Sequence, residues 1–186
     1  QMCIRDRHQP ITDALALKGI SMIAENLEKA YENGEDREAR RNMMIASTIG
    51  GMAFISSNVG AVHAFAETVG AWFDTPHGVA NSLFLPYIME FNIPACPERF
   101  ADIADAMGIE REESMSDEQY ALKAVEYVKA LNRKLNIPTI KEIKGITEER
   151  FEAIAERSAN NVLSNDNARK ITKEDYLELL KKAYNE

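Results

Sequence analysis

Apolar residues recur along this chain at helical spacing, and no segment alternates in the manner of a strand. Ile11, Leu15, Ile20, Ile23, Leu27 and Tyr31 mark a first helix, with Pro10 in its opening turn and Asn33-Gly34 as its stop. A second helix is predicted from Asp36 to Ser57. Its first half is charged (Arg37, Glu38, Arg40, Arg41) and its second small and apolar (Ala46, Ile49, Gly50, Gly51, Ala53), which predicts a helix entering a tightly packed core. Asn58 to Val69 reads as a third helix rich in small residues. Thr75 then serves as a cap with Pro76 in the first helical position, ahead of Val79, Leu83 and Tyr87; Pro86 is expected to kink or split that helix. Pro97 opens a segment that Gly108 closes. Ser116 with Gln119 forms a capping box ahead of Leu122, Val125, Val128 and Leu131. Thr147 caps a helix through Phe151, Ile154 and Ala155, and Thr172 with Asp175 repeats the capping pattern ahead of Tyr176, Leu179 and Leu180. The predicted fold class is all-α, with about eight helices.

Composition narrows the function classes. The 186 residues are 45% hydrophobic and 28% charged, which suits a globular domain that needs no disulfide or metal staple. Thirty acidic residues against 22 basic leave a net charge of −8 and no basic cluster, which argues against a nucleic-acid partner. The longest near-continuous apolar stretch, Leu83 to Met89, falls short of the ~20 residues a membrane span needs, so no membrane partner is expected. Cys3 and Cys96 make no disulfide framework, and a cytoplasmic location is expected.

Candidate chemistry is sparse. His8 sits two residues before Pro10 near the terminus and reads as an exposed loop residue. His63 and His77 stand fourteen residues apart, one in the small-residue helix and one at the start of the next, joined by a short link. A helix N-terminus disfavours protonated imidazole, so a neutral metal-ligating His77 suits that place. The alternative is two partly buried histidines bonded to backbone. Glu67 lies one turn after His63 on the same face, as a third ligand, an outer-sphere carboxylate, a general acid/base or a surface ion-pair partner. Gly50-Gly51 and Gly60 lack any phosphate-binding fingerprint and read as close helix packing, and Met43-Met44 reads as core.

The runs Gly60-Ala61-Val62-His63-Ala64-Phe65-Ala66 and Asp74-Thr75-Pro76-His77-Gly78-Val79-Ala80-Asn81, followed by Leu85-Pro86-Tyr87, resemble the iron-containing (group III) alcohol dehydrogenases. Pro10 to Leu15, Leu131-Asn132-Arg133 before Ile137-Pro138, and Ile171 to Tyr176 extend the resemblance over nearly the whole chain. It implies the helical C-terminal domain of an enzyme whose N-terminal domain binds NAD or NADP. The implied metal is Fe²⁺, with Zn²⁺ the alternative, held by His63 and His77 together with an Asp and a His that should precede Pro10. Neither of those two is found here, nor is the nucleotide-binding domain, so the chain is expected to be a fragment that is inactive alone. Residues 1–7 do not resemble the family and read as a non-native leader; residues 8–186 read as the metal-binding domain. Many members carry a histidine where this chain has Glu67, and many carry Asn-Pro-Arg where it has Asn167-Ala168-Arg169.

The implied function is NAD(P)-dependent interconversion of alcohols and aldehydes by metal-assisted hydride transfer, with Glu67 as a proton relay. Phe54 falls at the family's aromatic pocket wall, and Leu163 lines the same pocket. The alternatives are a polyol or glycerol-type dehydrogenase of the same superfamily, or a helical domain without chemistry of its own. The implied partners are a small alcohol or aldehyde, the N-terminal domain, and further copies of the chain in a homo-oligomer. With that domain missing, His63, Glu67 and His77 are expected to be unusually open to solvent.

Overall fold

The computed structural model describes residues 9–55 and 58–186, and eight α-helices make up most of it. The leader read at residues 1–7, together with His8 and Cys3, lies outside the described residues. Among the described residues there is no strand, and no helix is long and apolar enough to cross a membrane. The fold divides into two compact units, Gln1–Asn58 with Cys96–Ala124 and Val59–Ala95 with Val125–Glu186. Each unit is built from separate stretches of chain, so no linker in the sequence announces the division.

The first unit holds α1 (Pro10–Glu32), α2 (Arg37–Ile55), α5 (Pro97–Ala106) and the start of α6 (Asp117–Lys134). A tight turn makes α1 and α2 a helical hairpin: Asn33 Oδ1 accepts the Glu35 N–H, and Asp36 Oδ1 caps α2 through the N–H groups of Glu38 and Ala39. The buried residues of α1 are Thr12, Gly19 and Asn26, and those of α2 are Ala39, Ala46 and Ala53. Each set repeats every seven residues, the period of a coiled-coil seam, but with small side chains. Gly19 marks the close approach: a Cβ there would lie 3.6 Å from Ile49 Cγ2 and 3.8 Å from the Ala46 carbonyl oxygen. Asn26 and Asn42 bridge the seam at 3.0 Å.

This packing corrects the sequence reading in several places. The residues that marked α1 are not its buried face, and Ile11 is largely exposed. The apolar half of α2 enters the core on one face only: Ala46 and Ala53 are buried, whereas Met44, read as core, is 74% exposed, and Ile45, Met52, Phe54 and Ile55 are exposed as well. A Cβ on Gly50 or Gly51 would meet nothing within 4 Å, so close packing does not account for either. Elsewhere in the unit the expected ends hold. Pro97 opens α5, Gly108 stops it at φ 75°, and Ser116 and Gln119 exchange the two hydrogen bonds of a capping box at 3.0 and 3.2 Å.

The second unit holds α3 (Ala61–Phe73), α4 (His77–Asn92), α7 (Phe151–Ala159), α8 (Lys173–Asn185) and the rest of α6. α3 starts later than predicted because Asn58 takes a left-handed φ of 63° and Gly60 is extended; it also runs four residues past Val69. Pro76, not Thr75, is the cap residue of α4. Pro86 neither splits nor ends that helix. It cannot donate to the Ser82 carbonyl four residues back, and Asn132 on α6 donates to that carbonyl instead, at 2.7 Å. The segment after Thr147 begins as a 3₁₀ turn, Glu148–Arg150, before α7. Thr172 and Asp175 form the expected capping box on α8.

The core of this unit centres on Phe65, stacked on Phe84 at 4.1 Å and met edge-on by Tyr176 at 4.6 Å. A buried hydroxyl network ties its elements together. Ser158 on α7 donates to Thr68 on α3 at 3.1 Å, and Ser164 donates to the Ser158 carbonyl at 2.7 Å. That uses Ser164's one hydrogen, so the Tyr176 hydroxyl, 2.7 Å from Ser164 Oγ, must be the donor between them.

Candidate metal centre

Both histidines belong to the second unit, His63 in the first turn of α3 and His77 at the start of α4. Gly60 lets α3 start close to the loop that carries Asn167: a Cβ there would lie 3.2 Å from Asn167 Oδ1. His63 follows in the first turn. At the far end of α3, Asp74 takes a left-handed φ of 49° and turns the chain so that His77 opens α4. The three residues 74–76 thus return the backbone upon itself. The result places the rings of His63 and His77 with centroids 5.3 Å apart and planes tilted by 52°.

The two imidazoles differ in setting. His63 is half-buried, and burial pushes its pKa down to about 4, with the neighbouring His77 ring adding to the shift. It is therefore neutral at pH 7, the form in which imidazole offers a lone pair. His77 is exposed. One helical turn on, the Asn81 side-chain amide lies 3.0 Å from His77 Nε2 and donates to the His77 carbonyl at 2.9 Å.

Glu67 is exposed as well, and its partner is an amide. Asn161, just beyond α7, donates from Nδ2 to Glu67 Oε2 at 2.7 Å, while its Oδ1 accepts the Leu163 N–H at 3.0 Å. The amide is held at both ends, so its orientation is fixed. Asn161 and Asn81 are the two polar residues at this site that sequence reasoning left without a role. Asn81 was visible in the Pro-His-Gly-x-Ala-Asn run; nothing in the sequence pointed from Asn161 to Glu67.

Leu163 is half-buried and packs against the hydrophobic core of this unit. Phe54 stands at the end of α2, in the first unit, 41% exposed. The openness expected of His63, Glu67 and His77 is present in graded form, with the first half-buried and the other two exposed.

Among the described residues no group of three or more His, Cys, Asp or Glu side chains converges as a metal site. The donor set present nevertheless suits a divalent transition metal. Two imidazoles, one held neutral, lie with ring centroids 5.3 Å apart, and their nitrogens are donors of the type such a metal takes.

Comparison with known proteins gives this corner its context. The model described as "Fe-containing alcohol dehydrogenase family, C-terminal" matches residues 4–184, beginning inside the stretch read as a leader. Alcohol dehydrogenase 4 of Saccharomyces cerevisiae is 40% identical over 178 residues, which cover 94% of this chain and 44% of the relative. The 1,3-propanediol dehydrogenase of Citrobacter freundii is 38% identical over 175 residues, covering 94% of this chain and 45% of the relative. Among solved structures, an alcohol dehydrogenase from Oenococcus oeni superposes with a TM-score of 0.91 at 39% identity, over 96% of this chain and 46% of that one. A 1,3-propanediol oxidoreductase gives the same TM-score at 36% identity, over 95% and 46%. The chain thus spans a little under half the length of the relatives it matches. With matching sequence, matching helices and histidines paired between α3 and α4, this chain belongs to the Fe-containing alcohol dehydrogenase family and corresponds to its C-terminal domain.

Proposed function

We propose that the chain is the metal-binding half of an NAD(P)-dependent dehydrogenase that interconverts small alcohols and aldehydes, with His63 and His77 as two of the metal's ligands. The observation that carries this reading is the pair of imidazoles 5.3 Å apart, one on α3 and one on α4. The relatives support the substrate class: they include an NADPH-dependent butanol dehydrogenase, an NAD-dependent methanol dehydrogenase and a lactaldehyde reductase. A polyol-type substrate is the second reading, favoured by the two 1,3-propanediol dehydrogenases among them. Fe²⁺ is the expected metal, Zn²⁺ the alternative. The proposal includes a nucleotide-binding domain as partner, self-association into a homo-oligomer, and a cytoplasmic setting.

A metal held by His63 and His77 would supply Lewis acidity toward the substrate oxygen, and a nicotinamide on the partner domain would supply hydride chemistry. This chain's residues do the rest. His63, kept neutral by burial, presents a lone pair without first losing a proton. Glu67, one turn along α3, would take up or return the alcohol proton. Asn161 can only donate to Oε2, so a proton arriving on Glu67 is carried by Oε1. We assign Phe54 and Leu163, each by itself, to contact with the substrate on the family resemblance.

Co²⁺ titration of the metal-free chain, followed by visible absorption, tests the assignment. His63→Ala and His77→Ala should each weaken binding by at least about tenfold, a loss that outer-sphere partners alone can cause. Glu67→Gln should leave binding nearly unchanged, since a relay is not a ligand. Equal affinity in wild type and both histidine variants would refute the metal site.

A further inference from the structure

The Asn81 amide has an unusual set of partners. Its Nδ2 serves both the His77 carbonyl at 2.9 Å and His77 Nε2 at 3.0 Å, whereas its Oδ1 is buried with no hydrogen-bond partner among the described residues. Turning the amide over would give Oδ1 a new neighbour but set it against the His77 carbonyl, oxygen facing oxygen. The orientation is therefore dictated by the backbone. The NH₂ group has two hydrogens: one goes to the carbonyl, and the second points at Nε2. A group that can only donate requires an acceptor, so Nε2 is the unprotonated nitrogen and the ring proton resides on Nδ1. A buried polar atom left without a partner is rare enough to require an account, and here it follows from holding the amide in this sense.

We propose that Asn81 is a positioning residue that fixes the tautomer of His77, keeping the Nε2 lone pair available as the donor to a divalent metal. This rests on the metal-site reading above and deepens it by naming the ligating atom and the residue that selects it. Loading would require the Asn81 N–H to leave Nε2, because a ligand bond of ~2.0–2.1 Å along that lone pair and an amide nitrogen 3.0 Å from the same atom cannot share one place. The arrangement is local to the first turn of α4, so it is present before any metal arrives.

The test is long-range ¹H–¹⁵N correlation of the histidine rings in the metal-free chain at pH 8. The expected wild-type pattern is His77 with Nδ1 protonated and Nε2 bare. In Asn81→Asp a carboxylate replaces the donor and accepts from the ring, so the proton should move to Nε2; in Asn81→Ala the bias should be lost. His63 serves as an internal control whose pattern stays the same in both variants. Zn²⁺ added to wild type should then shift the His77 Nε2 resonance. A protonated Nε2 in the wild type, or a tautomer unmoved by both substitutions, overturns the proposal. The expected tautomers with no response of either ring to Zn²⁺ would uphold the role of Asn81 and overturn the metal reading instead.

Discussion

Tyr176 shows how much one hydroxyl can hold. Its ring fills the second unit's core at 0% exposure, and its O–H is the donor that completes the Ser164–Ser158–Thr68 network. Burial pushes its pKa up to about 12, while the unfolded residue ionises near 10. The folded state therefore keeps a proton that the unfolded state loses between these values. Its contribution is full below pH 10 and is lost as pH rises toward 12. Tyr176→Phe leaves Ser164 Oγ without its donor and should cost about 1–2 kcal/mol near neutrality. Urea midpoints between pH 7 and 11 check both parts: the variant should start lower and decline less steeply in the alkaline range. A variant as stable as wild type at pH 7 would mean that the hydroxyl network contributes nothing net.

At the scale of elements, α4 depends on a donor from another helix. Pro86 removes one rung of the hydrogen-bond ladder, and Asn132 on α6 replaces it at the Ser82 carbonyl. Asn132→Ala should destabilise by about 1–2 kcal/mol by leaving that carbonyl unsatisfied. Adding Pro86→Ala, which restores the N–H, should recover much of the loss. A thermal-unfolding double-mutant cycle reads this coupling directly, and strict additivity would count against it. This scale also shows what a sequence displays and what it conceals. The capping boxes at Ser116 and Thr172 were legible because both partners lie within one turn. The bonds from Asn132 to Ser82 and from Asn161 to Glu67 join residues 50 and 94 positions apart, and such contacts leave no periodic trace. That Pro86 does not split α4 was hidden for the same reason: the donor that replaces its missing N–H is on a different helix. The two histidines were legible through their motif; the left-handed Asp74 that ends α3 between them is a backbone fact that no composition rule marks.

For the molecule as a whole, the notable surface is the outer face of α2, where Met44, Ile45, Met52, Phe54 and Ile55 are exposed together. A helix reading based on apolar content sends such residues inward; whether a face has a partner depends on the rest of the assembly, and the relatives are about twice as long as this chain. Exposed apolar patches bind dyes and other molecules. The isolated chain should therefore enhance the fluorescence of a hydrophobic dye, and Met44→Lys with Ile55→Lys should remove most of that signal without lowering the unfolding midpoint. Unchanged dye binding in the double variant would place the sticky surface elsewhere.

The hairpin beneath that face has its own lesson. Its two helices meet through Thr12, Gly19 and Asn26 against Ala39, Ala46 and Ala53, a joint made from small side chains that acts as a spacing gauge. A methyl group at Gly19 would just make contact with Ile49 and Ala46, and a side chain much larger than that would act like a shim between the helices. The outward positions of α2 carry no such duty. Mating and display are thus written in separate letters of one helix, and the displayed letters can be rewritten without disturbing the joint. A lineage could retune what this surface meets, from one substrate or neighbour to another, by exchanging Met44, Met52, Phe54 or Ile55 while the joint that holds them stays as it is.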